Sequence, residues 1–315
     1  MNTLSSSQSR QIGLLFGKFY PLHCGHVYFI EKAMSQVDEL HVILGCEKTR
    51  DLRLFEQSGM TVQPQVQDRL SWLQRTFRYC PQIHIHVLHE EGIAFYPNGW
   101  KDWSDRVKQI LAQYDVKPTV IFTSEAQDAQ NHAIHYGCPV KLVDVERRFA
   151  SISATEIRHN PYQHWSFIAN AAKPFFVKKV AIISSNQRSS HLMEKLANVY
   201  NTTCVPNGYI NYIYASQTGN TACALNEADY IKIMFMHAER INQALTAANK
   251  LLFTEIDFSA LHQLYQNTFK QTHQLLAELE QQYQFDLVLT DESFAVDDDF
   301  ATIFEKSIAM IDELI

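Results

Sequence analysis

Two histidines and a lysine lie close together near the start of the chain, where they could bind a polyphosphate. His23 and His26 flank Gly25, and Lys18 follows Gly17. Imidazole N–H groups and an ammonium group offset the charge that develops when a phosphoryl or nucleotidyl group is transferred, and no side chain needs to act as a nucleophile. The pattern therefore predicts a polyphosphate site that works by positioning its substrates and stabilising charge.

The neighbouring segments are those that would position this cluster. Leu14–Phe16 is a short apolar run that ends at Gly17, which predicts a buried strand. Beyond residue 25 the apolar residues recur at helical spacing, so Gly25 and His26 fall in the first turn of a predicted helix, where free N–H groups favour anions. The alternative is a capped helix start with two solvated histidines. The strand, the G-K-F-Y-P turn at residues 17–21 and the helix together favour the functional interpretation.

Composition limits the class of protein. The 315 residues are enough for two domains, and a hydrophobic content of 46% is enough for their cores. The net charge of −7, with basic residues scattered along the chain, argues against a surface that binds duplex DNA. The six cysteines form no C-x-x-C pair, which predicts a reduced cytoplasmic protein. Residues 1–11 predict a disordered lead-in, and no apolar run is long enough for a signal peptide or a membrane span.

Short apolar runs alternate with amphipathic stretches from Ile12 to about Val143, which predicts an α/β fold with a parallel sheet and helices on both of its faces. The predicted strands are 12–16, 40–44, 83–88, 119–122 and 140–143. The predicted helices are 25–36, 66–79, 100–113 and 126–136. Because crossovers are right-handed, the loops after the strands should meet on one rim, and ligand-binding residues are expected there.

Aromatic residues surround a Pro-Asn-Gly turn in the loop after the third predicted strand. Tyr96 precedes the turn, Trp100 follows it, and Trp103 lies one helical turn later. Such residues could form an apolar slot for a flat ring. The alternative, which the residues leave equally open, is that both tryptophans pack the start of their helix.

Other histidines invite a metal interpretation that we do not favour. His84 and His86 alternate with apolar residues before His89, and such alternation on a half-buried strand is more often a polar face than a site. His132 and His135 share a helix face, with no carboxylate or cysteine at ligand spacing. We therefore assign no transition metal.

A second anion site is indicated near residue 153. Ser153 and Glu156 have the spacing of a capping box, which places Thr155 and Arg158 in the first turn of a helix, beside exposed N–H groups. The alternative is an ordinary capped helix. The histidine element earlier in the chain favours the anion site.

Together, the H-x-G-H element and the segment I-S-A-T-E-I-R resemble the paired signatures of the nucleotidylyltransferase superfamily. The chain resembles in particular the NadR-type family of bifunctional nicotinamide mononucleotide (NMN) adenylyltransferases and ribosylnicotinamide kinases. The similarity follows the chain in order through residues 17–26, 51–58, 68–73, 96–100, 123–125, 151–158, 160–162, 165 and 173–177. It implies a Rossmann-like nucleotidylyltransferase domain at 12–172 and a P-loop-kinase-like α/β domain at 173–315.

The resemblance also implies an activity and a set of contacts. The enzyme would transfer the adenylyl group of ATP to NMN, giving NAD⁺ and pyrophosphate, with Mg²⁺ held mainly by the substrate phosphates. The implied ATP contacts are Phe16, Gly17, Lys18, His23, His26, Ser153, Thr155 and Arg158. The catalytic roles among these would fall on His23, His26, Lys18 and Arg158. The implied NMN contacts are Asn98, Trp100 and Trp103.

The second domain departs from the family pattern where its P-loop should stand. The segment Ser184–Ser190, which contains Arg188 and Ser189, has neither glycine nor lysine. Glycines let a P-loop wrap a phosphate, and the lysine supplies charge. Glu255 and Asp257 still end a predicted strand as in the family's acidic motif, but residues 297–301 contain no arginine for a lid. We expect the kinase activity to be lost and the fold to be kept for packing, oligomerisation or weak nucleotide sensing.

Two alternatives stay open at this point. One is an adenylyltransferase for nicotinate mononucleotide or another phosphate ester, and the other is a non-catalytic regulator that senses NAD or ATP. The helix-turn-helix module of full family members should be absent, because about a dozen residues precede the first strand. The expected partners are thus ATP, NMN and NAD⁺, with no nucleic acid and no membrane, and a homo-oligomer is compatible with the sequence.

Overall fold

The computed structural model describes residues 10–184, 188–208 and 225–315. The chain divides into two compact units, the first of which ends at Ala172 while the second begins at Lys173. Within the predicted lead-in, the Gln11 N–H donates to Asp38 Oδ2 at 2.7 Å, and Arg10 pairs with Glu39. Residues 1–9 of that prediction lie outside the described residues.

A five-stranded sheet forms the centre of the first unit. All its strands are parallel, in the order β3-β2-β1-β4-β5. They are β1 Ile12–Gly17, β2 Glu39–Cys46, β3 Ile83–His89, β4 Val120–Thr123 and β5 Val140–Leu142. The central strands are near-continuous apolar runs because helices cover both faces of the sheet. The predicted α/β fold is confirmed.

Six helices of the first unit connect these strands and close its carboxyl-terminal part. They are α1 Cys24–Met34, α2 Lys48–Glu56, α3 Val66–Thr76, α4 Trp100–Ala112, α5 Ala129–Tyr136 and α6 Ala154–His159, with 3₁₀ turns at Ala126–Asp128 and Trp165–Phe167. The core on one face joins Val107 and Leu111 of α4 to Leu14, Ile43 and Ile121 of three adjacent strands. Burial of these side chains fixes the sheet against α4.

The predicted elements of this unit differ from the structure in two helices. The predicted helix 126–136 begins as a 3₁₀ turn and becomes α-helical only at Ala129. Helix α2 has no counterpart among the predictions, because Lys48–Glu56 is mostly polar and buries only Asp51. Without an apolar stripe, periodicity cannot reveal such a helix.

The histidines of β3 do not form the simple polar face that their alternation with apolar residues predicted. His86 is buried with 7% of its surface exposed, while its apolar neighbours Ile85 and Val87 are only half-buried. The register pairs His41 of β2 with His84 of β3, so histidines from two strands share one face of the sheet. Contacts with neighbouring strands, which the β3 sequence alone does not show, bring this polar cluster into the interior.

The second unit is built around a smaller parallel sheet with the order β7-β8-β6-β9. Its strands are β6 Lys178–Ile183, β7 Cys204–Val205, β8 Leu251–Thr254 and β9 Leu287–Thr290. Its described helices are α7 Lys173–Phe176, α8 Arg188–Val199, α9 Glu227–Leu245, α10 Phe258–Phe269, α11 Gln274–Gln282 and α12 Phe300–Asp312. Strand β6 and helix α8 stand on either side of the P-loop position. None of the described helices in either unit combines the length and apolar character needed to cross a membrane.

Candidate active site

A cavity of about 500 Å³ opens where the strand order reverses, between the carboxyl ends of β1 and β4. Ligands of open parallel sheets bind at this kind of switch point because the loops diverge there. The cavity is lined by all the residues for which ATP contacts were predicted, namely Phe16, Gly17, Lys18, His23, His26, Ser153, Thr155 and Arg158. The fold thus brings together two sequence elements more than a hundred residues apart.

The turn after β1 depends on a close approach between Gly17 and Phe19. A Cβ on Gly17 would lie 2.5 Å from the Phe19 ring, and Phe19 is buried with a φ of 49°. Only glycine fits against a ring held this closely. The turn therefore places Lys18 at the mouth of the cavity and directs the chain into α1.

His23 and His26 lie side by side at the start of α1. His23 is the N-cap, its Nδ1 accepts the Gly25 N–H at 3.1 Å, and its ring centroid lies 3.7 Å from that of His26. Burial lowers the pKa of His23 to about 4, and burial followed by the charge of His23 lowers the pKa of His26 well below its usual value. Both rings are therefore neutral near pH 7. Because Nδ1 of His23 accepts, the proton of this ring is on Nε2, which can donate.

The second predicted element has the expected capping box, but Arg158 lies in the last turn of α6 and not in the first turn as predicted. The Ser153 Oγ accepts the Glu156 N–H at 3.2 Å, and Glu156 Oε2 accepts the Ser153 N–H at 2.8 Å. Arg158 donates to the Tyr20 carbonyl at 2.7 Å and to Thr155 Oγ1 at 2.9 Å. The guanidinium group thereby ties α6 to the turn after β1.

A buried ion network beneath the cavity was not identified by the sequence analysis. Arg69 is fully buried and donates to the carbonyls of Lys18 at 3.0 Å and Gly45 at 3.3 Å, and to the Asp51 carboxylate. Arg50 also pairs with Asp51. The only signal for the burial of Arg69 was its position three and four residues before Trp72 and Leu73, on the apolar face of a predicted helix.

The network continues towards a second cavity of about 310 Å³, which shares Phe16, Lys18, Glu90, Trp103 and Asp128 with the first. Arg50 pairs with Glu90, which accepts the Trp103 indole N–H at 3.0 Å. The side chain of Lys18 reaches both cavities. Its pKa is lowered by desolvation and by the nearby Arg50, while the carboxylates of Glu90 and Asp51 oppose this change.

Aromatic rings form one wall of the second cavity. Trp103 lies 4.6 Å from Phe16 between ring centroids, Trp100 lies 5.7 Å from Trp103, and His132 stacks on Phe16 at 4.9 Å. The structure therefore brings Trp100 and Trp103 to one cavity, whereas Asn98 is exposed and is not among its lining residues. Sequence reasoning missed His132, whose contact with Phe16 depends on β4 and α5 lying next to β1.

The residues predicted for the degenerate kinase site lie in the second unit, at the carboxyl ends of β6 and β8. Ser190 Oγ donates to Glu255, which also accepts the Asn207 N–H. Asp257 caps α10 by accepting the Ala260 N–H at 2.8 Å, and burial raises its pKa. Residues 185–187 of the predicted P-loop position lie outside the described residues, and of Arg188 only its place at the start of α8 is described.

In the described part of the chain, three metal-ligating side chains converge in one place, Glu39, His41 and His84. They lie at the amino ends of β2 and β3, whereas the cavity lies at the carboxyl ends of the strands. The carboxylates beside the cavity do not form such a group. A divalent ion there would need the substrate phosphates as its main ligands.

A parallel sheet of this order, with an H-x-G-H turn after its first strand and the I-S-A-T-E-I-R helix at its end, defines a nucleotidyltransferase enzyme with a Rossmann-like fold. No family model matches the chain. The chain is 44% identical over 287 residues to the trifunctional NAD biosynthesis/regulator protein NadR of Escherichia coli, covering 91% of this chain and 70% of that protein. The NadR protein of Salmonella typhimurium is 43% identical over the same shares. The chain belongs to the NadR family.

Solved structures agree on the fold. A crystal structure of NadR protein in complex with NR has a TM-score of 0.75 at 22% identity, covering 96% of this chain and 87% of that one. A second, of NadR protein in complex with NAD and AMP-PNP, has a TM-score of 0.73 at 22% identity, covering 97% and 89%. Both units of the chain therefore have the arrangement of strands and helices found in that family.

The buried pair of Arg69 and Asp51 should be essential for the stability of the first unit. We expect Arg69→Met to lower its free energy of unfolding by about 3–5 kcal/mol, because the buried Asp51 carboxylate loses a partner and two carbonyls lose a donor. All four tryptophans lie in this unit, so urea unfolding followed by tryptophan fluorescence reports on it. Arg75→Met, at an exposed position of the same helix, is the control and should change little. Equal effects of the two substitutions would contradict the prediction.

Proposed function

We propose that the first unit transfers the adenylyl group of ATP to NMN and releases NAD⁺ and pyrophosphate. The observation that supports this most is the adjacency of the two cavities. One is lined by the histidine, lysine and arginine side chains that suit a triphosphate, the other by rings that suit a flat heterocycle, and both share Phe16 and Lys18. Two substrates bound in this way meet at Lys18, which is where a phosphate of one must reach the other.

The reaction is a direct displacement. An oxygen of the NMN phosphate forms a bond with the α-phosphorus of ATP, and the bond from that phosphorus to the β-phosphate bridging oxygen breaks, so that pyrophosphate leaves with the electron pair. Lys18, His26 and Arg158 stabilise the charge on the phosphate oxygens, and the Nε2–H of His23 is available as a further donor. Mg²⁺, held mainly by the phosphates, would neutralise charge on the leaving group. Positioning and electrostatics suffice, and no covalent enzyme intermediate is needed.

The charges of the second cavity favour NMN over nicotinate mononucleotide as the acceptor. Its lining includes the carboxylates of Glu47, Glu90 and Asp128. Of the two cations in this lining, the Arg50 guanidinium is already paired with Glu90, and Lys18 lies at the junction with the first cavity, where the substrate phosphates would take up its charge. Burial lowers the pKa of His132 to about 4, so this ring is neutral and offers no positive charge to a nicotinate carboxylate. The neutral carboxamide of NMN avoids this repulsion.

For the second unit we propose that ribosylnicotinamide phosphorylation has been lost while the fold remains. The strand and helix on either side of the loop pack through their apolar faces, which need neither glycine nor lysine in Ser184–Ser190. A P-loop acts almost wholly by positioning and charge, and this sequence lacks the residues that provide both.

The described cysteines are all free thiols, which fits a reducing cytoplasm as the site of action.

His26→Ala should nearly abolish NAD⁺ formation from Mg-ATP and NMN while circular dichroism stays unchanged. Loss of one preorganised donor at the phosphates costs on the order of a hundredfold or more in kcat. The His89 ring is exposed and lines neither cavity, so His89→Ala is the control and should form NAD⁺ at the wild-type rate. A His26→Ala enzyme with a near-normal rate would exclude this histidine from the mechanism, and wild-type protein that binds both nucleotides without turnover would favour the sensing regulator.

Trp100→Ala or Trp103→Ala should raise the KM for NMN well above any change in the KM for ATP. Each substitution removes aromatic surface on which the nicotinamide ring would pack. Steady-state kinetics with each substrate varied in turn provide the test, and Tyr79→Ala, at an aromatic that is 82% exposed, is the control. The same assay with nicotinate mononucleotide should give a lower kcat/KM than with NMN. Small and equal changes for both substrates would instead support a packing role for the tryptophans.

The full chain should form no NMN from nicotinamide riboside with either Mg-ATP or Mg-GTP. Loss of arginine-type stabilisation alone costs about a thousandfold or more in phosphoryl transfer, and here the lysine is missing as well. Product separation by chromatography measures this directly. NMN formation above background that disappears in Asp257→Ala would show that the second unit is an active kinase and that another residue provides the missing charge.

A further inference from the structure

A polar cluster lies on one face of the sheet at the amino ends of β2 and β3, which is the end of the sheet away from the cavities. Glu39 and His41 are two residues apart on β2 and therefore point to the same face. The parallel register sets His84 beside His41, and His86 follows two residues later on the same face. None of these residues takes part in the proposed adenylyl transfer.

The side chains of this cluster converge on one carboxylate oxygen. Glu39 Oε1 lies 2.9 Å from His84 Nε2 and 3.2 Å from His41 Nε2, and the three ligand atoms are all within 4.8 Å of one another. A tetrahedral Zn²⁺ ion at about 2.0–2.2 Å from each of its ligands separates those ligands by roughly 3.3 Å. The spacing of the three atoms is therefore close to what one ion requires.

The cluster also has the supporting contacts of a metal site. His41 Nδ1 lies 2.9 Å from His86 Nε2, and the second oxygen of Glu39 lies 2.6 Å from Arg10. Metal-ligating histidines usually bond a partner through their other nitrogen, which fixes the tautomer and the ring orientation. His41 is 2% and His86 7% exposed, whereas the side chain of His84 is 42% exposed, so an ion and one water ligand could enter from that side.

We propose that Glu39, His41 and His84 bind a divalent transition metal ion, for which the two-imidazole, one-carboxylate set best suits Zn²⁺, with water as the fourth ligand. Without metal, the His86 Nε2–H donates to His41 Nδ1, and the His41 Nε2–H donates to Glu39. When the ion binds, His41 carries its proton on Nδ1 and donates to His86, whose own proton moves to Nδ1. His86 is a positioning residue for His41. Both rings stay neutral, so no proton is lost from the pair.

The ion would join β2 to the edge strand β3. Since β3 pairs with β2 alone in the sheet order, a ligand from each strand adds a link at the edge. The expected consequence is a higher thermal midpoint of the first unit with Zn²⁺ bound, because the ion binds the folded chain and not the separated ligands. Adenylyl transfer does not depend on this site.

The test uses the full chain without a histidine tag. Titration with Zn²⁺ by calorimetry should show one tight site, and Co²⁺ in its place should give the intense visible absorption of a tetrahedral ion. His84→Ala should weaken binding on the order of a hundredfold and remove the absorption, and His86→Phe should weaken it about ten- to a hundredfold. His89→Ala, on the same strand, is the matched control and should bind as the wild type does.

Two further measurements keep the outcome decisive. Thermal midpoints without metal establish that His84→Ala folds, and the exposed position of this side chain makes that the expected result. His23→Asn tests whether the active-site histidines hold the ion instead. If wild type and His84→Ala bind Zn²⁺ equally, or if His23→Asn removes the Co²⁺ spectrum, the proposal is wrong. Neither result decides whether the protein transfers an adenylyl group, because Glu39, His41 and His84 take no part in that proposed reaction.

Discussion

The hydrogen bonds of the Arg69 guanidinium group are the contacts on which the geometry of the candidate active site depends most. This group is fully buried, and it joins the carbonyl after β1, the carbonyl near the end of β2 and the carboxylate of Asp51 on α2. A charge can be buried at this depth only when hydrogen bonds replace the lost water. The bonds that stabilise this charge through its two terminal nitrogens also hold the ends of two strands at fixed positions, and Lys18 with them.

From Arg69 the network leads outward to both cavities. Asp51 also binds Arg50, Arg50 binds Glu90, and Glu90 accepts the indole N–H of Trp103. A continuous series of ion pairs and hydrogen bonds therefore connects the turn after β1, which would hold the triphosphate, to the Trp103 ring, which would hold nicotinamide. In a site that works by positioning, such a connection matters because a displacement of about 1 Å between reacting groups costs a large factor in rate.

The sequence predicted what depends on local pattern. The apolar runs predicted all five strands of the first sheet, and the capping spacing of Ser153 and Glu156 predicted the start of α6 correctly. Polar helix α2 was missed because its only buried residue is Asp51, whose partner Arg69 is eighteen residues away. His132 was missed for a related reason, since its contact with Phe16 arises from the order of the strands. Long-range pairing of polar or single aromatic residues leaves no periodic signal in one sequence.

The two units differ in how their candidate phosphate sites depend on the fold. In the first unit, Gly17 and His23 form the site through the same contacts that turn the chain from β1 into α1, so loss of the site would disturb the turn. In the second unit, β6 and α8 pack through Val180, Leu192 and Leu196, which lie away from the loop between them. Glu255 accepts hydrogen bonds from the Ser190 hydroxyl and from the Asn207 amide, so this carboxylate has partners within the unit itself. The glycines and lysine of a P-loop can therefore be lost with little effect on the packing of this unit. In the first unit, replacement of Gly17 or His23 would disturb the turn as well as the site.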